Sequence, residues 1–384
     1  IYLGCGDSGW FIAENLSIDA RGGDSLEADG GDGADLAGEF YSTVRVINAT
    51  VDTSGGIGGS AATNTTAVGG DSGVQNWYGY DIDMYLMSGS TILSNGGDGD
   101  GGGGNSGAAR FSDDNGANGG YLFVAGRLEA NGGNATVDGN GGQGGSIYCG
   151  NFNGHPSAIT EFSGQAIANG GNGVGAGNGG RGGYPDVNCD GQMLIMSGTM
   201  SANGGTGVVG GDGYNCQCYG ESGCQVFISG TMTATGGNGT VTGGNGSTGM
   251  DIGRTNRTAT VVFSGTASAN GGTGGTTGGD GGSIDMGSTT GGSLTVSGTI
   301  TANGGTSPAG GNGGSMATGT NVCDSITVTA TGVLQANGAA TDGDGGSISL
   351  NPVGTGGAHV SLDSSATVEA KADGSGTAGA VTID

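Results

Sequence analysis

The residues best suited to chemistry in this chain are acids. Asp29, Asp32 and Asp35 stand three apart in DGGDGADLAG, inside the densest acidic stretch, Asp24 to Glu39. Carboxylates at that spacing among glycine turns offer hard oxygen ligands, so these three residues are the candidate calcium ligands, beside the favoured reading of a solvated acidic loop. A turn of this kind holds calcium by sandwiching it between tandem copies. Here it occurs once, and the later GGDGGSI phrases carry Ser where the ligand Asp would stand. No other cofactor is implied. Hydrolysis or elimination on a polysaccharide needs clustered acids with a nearby base. The basic residues Arg21, Arg45, Arg110, Arg127, Arg181, Arg254, Arg257 and Lys371 are scattered, Asp113-Asp114 is one adjacent acid pair, and His155 and His359 lie far apart. No Ser/His/Asp or Cys/His arrangement is present, and the expectation is that the chain is not an enzyme.

Cysteine offers a second chemistry. Cys216, Cys218 and Cys224 fall in one repeat, Cys149 and Cys189 in the two repeats before it, and Cys5 and Cys323 stand apart. If repeats stack, equivalent positions approach within disulfide reach, so these five are candidates for coil-to-coil disulfides. A zinc site is disfavoured, because the paired four-cysteine spacing is absent and no histidine is near.

What must position these groups is a repeat. Gly-Gly pairs begin at Gly22, Gly55, Gly96, Gly132, Gly170, Gly204, Gly236, Gly271 and Gly304, with Gly338 at the equivalent place in the next copy, roughly 35 residues apart. The clearest copy, from Ser293, reads SLTVSGTITANGGTSPAGGNGGSMATG. Each copy holds three short strands of alternating pattern and no helical periodicity, as in Leu194-Ile195-Met196, Thr199-Met200-Ser201-Ala202 and Ser146-Ile147-Tyr148-Cys149. The predicted fold is all-β: a three-faced parallel β-solenoid, a right-handed β-helix of about ten to eleven coils with Gly/Asn-rich corners. At about 4.8 Å per coil the rod is roughly 50 Å long. Residues 1–40 form an acidic N-terminal segment and first coil, and 41–384 a continuous solenoid, one domain overall.

At the first corner Asn131, Asn169, Asn203, Asn270, Asn303 and Asn337 recur, broken by Thr235. Asn tolerates positive φ, and stacked amides can pair, so an asparagine ladder is expected. The glycines beyond it would allow close backbone approach, in polyproline-II-like arms. A second corner carries Gln143, Arg181, Asp212, Asn245, Asp280, Asn312 and Asp344, where alternating Asp with Asn separates like charges.

The chain has 99 glycines, 34 acidic and eight basic residues, and a formal charge of -26. That charge excludes nucleic acid and anionic membranes as partners. No apolar run is long enough to span a bilayer, so membrane insertion is not expected. One lysine, many Thr, Ser and Asn, seven cysteines and a start at Ile1 without an initiator Met fit a secreted surface protein with its signal peptide removed. Sequons at Asn15, Asn48, Asn64, Asn134, Asn238, Asn245 and Asn256 permit glycosylation.

The recurring SGTxxANGG and GGDGGSI phrases resemble the glycine-rich right-handed parallel β-helix proteins of bacterial and archaeal cell surfaces, within the pectin-lyase-like superfold. The resemblance covers nearly the whole chain. It implies an extracellular rod of adhesive or structural use, on a fold that also hosts polysaccharide lyases and hydrolases.

The function expected from the residues is a structural subunit of an extracellular filament, a homopolymer built through solenoid ends and an apolar side. The repeat runs to Val381 and Ile383 without a capping element, and Ile195 and Phe227 extend an apolar second column in the strand before Ser-Gly-Thr. Leu86, Phe123 and Val262 are assigned to that column too, and Trp77, with Tyr78, Tyr80 and Tyr85, is the candidate cover or lateral contact. The alternative is an adhesin or carbohydrate-binding rod that recognises surface glycans. A less favoured one is ice binding by outward Thr199/Ser201, Thr231/Thr233, Thr266/Ser268 and Thr299/Thr301, which also suit any solvated strand.

Overall fold

Short strands separated by glycine arms wind into three parallel sheets of twelve, eleven and eleven strands, a right-handed parallel β-solenoid. The computed structural model describes the whole chain except residues 6–8, 60–64, 114–119, 153–156, 222, 256–258, 289–290, 319–322, 340, 354–357 and 384. Every regular element among the described residues is a strand. Sheet A collects the strands that follow the glycine arms, from Tyr2–Cys5 to Ala380–Ile383. Sheet B collects the next strand of each coil, such as Met193–Met196, and sheet C the third, such as Thr199–Ser201. Residues 1–40 enter these same sheets, since Tyr2–Cys5 pairs directly with Leu36–Phe40.

The period-two pattern fixes which side chains face inward. In sheet B, Val46, Leu86, Val124, Phe162, Met196, Ile228, Phe263, Val296 and Val328 stack in register and are fully buried. Each such side chain contributes roughly 1.5–3 kcal/mol by leaving water, and together they form a long, thin core. Leu86 belongs to this inward column, correcting its expected place outside: Tyr85, not Leu86, pairs with Phe123.

Trp77 is likewise a correction. It is not a surface or assembly residue but lies fully buried in sheet A, stacked on Phe40 at 5.7 Å and tilted against Phe111 at 6.4 Å. Its partner one coil below is Gly38, which leaves room for the rings, since a Cβ there would lie 2.6 Å from the Phe40 ring. The neighbouring Tyr78 and Tyr80 point outward and are partly exposed.

The glycine arms form a wing beside the sheets. An outgoing and a returning arm alternate in one hydrogen-bond line: Gly97 N–H donates to Gly70, Gly104 to Gly97, Gly133 to Gly104 and Gly142 to Gly133, at 2.8–2.9 Å. These glycines lie outside the positive-φ set, so close packing, not backbone handedness, demands them. A Cβ on Gly133 would stand 1.9 Å from the Gly97 carbonyl oxygen.

Candidate functional site

The corner asparagines do form a ladder, by a different bond from the expected amide pairing. Each side-chain Oδ1 accepts the backbone N–H of the equivalent residue one coil on: Asn131 to Asn169 at 2.9 Å, Asn169 to Asn203 at 2.9 Å, Asn270 to Asn303 at 2.7 Å and Asn303 to Asn337 at 2.8 Å. Asn203 serves Thr235 and Asn337 serves Lys371 in the same way. None of the six has positive φ, which belongs instead to Asn15, Asn48 and Asp81. The amide oxygen replaces the carbonyl that the bent chain cannot present, so a part-buried N–H is satisfied at each coil that follows a corner Asn.

The second corner works identically. Asn245 N–H donates to Asp212 at 2.7 Å, Asp280 to Asn245 at 2.9 Å, Asn312 to Asp280 at 2.8 Å and Asp344 to Asn312 at 3.0 Å. Asp and Asn alternate because either supplies the acceptor, while the amide removes a charge from every other step.

Asp29, Asp32 and Asp35 are part of the same scheme. Their carboxylates accept the N–H groups of Val68 at 2.8 Å, Asp71 at 2.9 Å and Val74 at 2.8 Å, three separate positions on the next coil. The three acids are thus laid out along an arm rather than gathered around one point, and among the described residues no group of three or more His, Cys, Asp or Glu is placed to hold a metal. Of the sequons, Asn15, Asn48, Asn238 and Asn245 are exposed and Asn134 is partly buried with its Nδ2 bonded to Asp98 at 3.1 Å. Asn64 and Asn256 lie outside the described residues, as do Asp114 and His155.

Cys149, Cys189, Cys216, Cys218 and Cys224 are all buried thiols, and no disulfide joins them. Stacking explains three of the five. Cys149 and Cys218 share a column but Val187 stands between them, so they are two coils, about 9.6 Å, apart. Cys216 immediately precedes the strand Gln217–Gly220 that holds Cys218, and both side chains are buried. Burial pushes the Cys149, Cys216 and Cys218 thiols well up, away from the reactive thiolate. Cys189 and Cys224 differ: Cys189 Sγ donates to the Ala158 carbonyl and Cys224 Sγ to the Gln225 carbonyl, each at 3.4 Å, and the nearness of the two thiols to each other pulls Cys189 down and pushes Cys224 up.

The outward column of sheet A holds a group that sequence reasoning missed. Arg110, Tyr148, Asp186, Gln217, Asp251 and Asp285 stand in register on successive coils. Asp186 is 3% exposed, and its Oδ1 has no hydrogen-bond partner. Burial first, then the nearby Asp251 charge, push its carboxyl up to about 8, against the pull of Arg110. Tyr184, whose hydroxyl donates to Gln217 at 2.5 Å, is one of the surrounding rings. An Asp amid Tyr-Pro-Asp-Val-Asn-Cys in an outward position reads as solvated, so its burial was not visible. The scattered arginines also gain places: Arg110 lies over Tyr78 at 4.6 Å, Arg45 over Trp10 at 4.8 Å and Arg181 over Tyr214 at 4.1 Å.

The outward face of sheet B is apolar across several coils. Tyr85, Phe123, Ile195, Phe227 and Val262 occupy one column, interrupted by Glu161 between Phe123 and Ile195, and Tyr121, Ile159 and Met193 occupy the column beside it. All are partly exposed. A second apolar line runs along the tips of the glycine wing, where Leu26, Ile57, Val68, Val137, Val174, Val209 and Val241 are exposed. The residue signal for it was one aliphatic side chain within most glycine runs. At the upper end, Val381 and Ile383 continue the inward columns above Ile348 and Leu350 and are exposed. The paired Thr/Ser columns on sheet C are in register as expected, Thr199 with Thr231, Thr266 and Thr299, and Ser201 with Thr233, Ser268 and Thr301.

The fold defines the class of this protein, a parallel β-solenoid. Comparison with protein-family models, with curated proteins and with solved structures gives no match.

Proposed function

We propose that this chain is a structural subunit of an extracellular filament or surface fibre, associating with copies of itself. The observation that carries the reading is the apolar outward face of sheet B. A parallel sheet is ordinarily covered on both sides, and a contiguous apolar patch on a soluble surface marks an interaction site. Here Phe123, Ile195, Phe227 and Val262 remain partly exposed among the described residues. A second copy is the fitting occupant, because a subunit of charge -26 approaches its like with least repulsion through a face that carries few charges.

The test is electron microscopy and sedimentation of the purified chain beside an Ile195→Asp/Phe227→Asp variant whose circular dichroism matches it. Filaments or bundles from the parent chain and dispersed rods from the variant are expected. Dispersed rods from both, at every salt concentration, would overturn the proposal and favour an adhesin.

A further inference from the structure

We propose that Cys189 and Cys224 form a coil-to-coil disulfide when the chain folds in contact with a small-molecule disulfide such as oxidised glutathione. The geometry comes from a missing side chain. Cys189, in the strand Tyr184–Cys189, pairs in register with Gly220 of the next coil. Gly220 has no side chain to stack over Cys189, and Cys224 fills its place: a Cβ built on Gly220 would lie 2.6 Å from the Cys224 Cβ and 2.9 Å from its Sγ. The Cys224 sulfur therefore occupies the stacking position one coil above Cys189, where neighbouring side chains are about 4.8 Å apart at the backbone, within the span a disulfide bridges.

In the closed coil each sulfur donates to a carbonyl, Cys189 to Ala158 and Cys224 to Gln225, both at 3.4 Å, and the order of attack is not set by these folded contacts. Both are fully buried, so the exchange takes place before this coil closes. One of the two, as thiolate, attacks one sulfur of oxidised glutathione and expels a glutathione thiolate. The other, on losing its proton, then attacks the mixed disulfide and expels the second. Two S–H bonds are lost and one S–S bond is gained in the protein, while the glutathione disulfide is reduced to two thiols. Cys149, Cys216 and Cys218 have no such partner and stay reduced.

The full chain is refolded in a mixture of oxidised and reduced glutathione, denatured with an alkylating reagent present, and cleaved after Asp and Glu without reduction. Cleavage after Asp190, Asp212 and Glu221 separates Cys189 and Cys224 from the other candidates. The expected product is a Cys189–Cys224 linked peptide, with two fewer alkylated cysteines than in the reduced chain. Cys189→Ser and Cys224→Ser each abolish it, with Cys149, Cys216 and Cys218 alkylated throughout. Complete alkylation of the refolded parent chain, or a link from Cys189 to Cys149, Cys216 or Cys218, would overturn the proposal.

Discussion

At the scale of single residues, the chain spends its Asn and Asp side chains on backbone, not on ligands. Asn270 accepts the Asn303 N–H at 2.7 Å and donates from Nδ2 to Ser268 at 2.8 Å. Asn270→Leu leaves that N–H without an acceptor, and a loss of about 1–3 kcal/mol is expected, read as a lower melting temperature. An unchanged melting temperature would mean the ladder bond contributes nothing. Asp186 makes a pH prediction. Its folded carboxyl titrates at about 8 while an unfolded Asp titrates near 3.9, so between those values the folded state holds a proton that the unfolded state has lost. Stability therefore falls as pH rises from about 4 to 8 and levels off above it. Asp186→Asn should flatten that slope in urea titrations run across the range, and a parallel pH profile for parent and variant would refute the assignment. The ladder positions were legible from their recurrence. Their bond was not, because recurrence says that residues stack without saying which atoms meet.

At the scale of elements, two kinds of glycine that look alike in sequence behave differently. Gly133 faces the Gly97 carbonyl so closely that a Cβ would stand 1.9 Å away, whereas a Cβ on Gly23 meets nothing within 4 Å. Gly133→Ala is expected to cost about 3 kcal/mol or more through backbone displacement. Gly23→Ala is expected to be neutral or to stabilise by about 0.4–1 kcal/mol by restricting the unfolded chain. Chemical denaturation of the two variants decides it, equal effects being the failing result. Strands were readable from alternation alone, yet Leu86 and Trp77 were misplaced. A strand such as Gln75–Gly79 alternates in either phase, and only the register to Gly38 and Phe111 sets which phase faces the core.

At the scale of the whole molecule, charge and apolar surface oppose each other. With a formal charge of -26, copies of the rod repel, and in the proposed assembly the partly exposed apolar face of sheet B supplies the attraction. Assembly should accordingly strengthen as salt rises, and as pH falls toward 4 and carboxylates protonate. Light scattering over a salt and pH series measures this. Scattering that ignores both would leave apolar packing as the controlling term and remove the electrostatic part of the proposal.

What the sequence by itself determined is the architecture: a period of roughly 35 residues, three alternating strands within it and glycine between them admit a stacked solenoid, because no single copy can bury its own apolar side chains. Tertiary structure decided the rest, since each remaining question depends on the distance between neighbouring coils. It chose the inward phase of each strand, turned Asp29, Asp32 and Asp35 into caps for three separate N–H groups, and buried Asp186 in an outward column. Among five buried cysteines it set Cys224 above Cys189, because the residue opposite Cys189 is a glycine whose empty place the Cys224 side chain can enter.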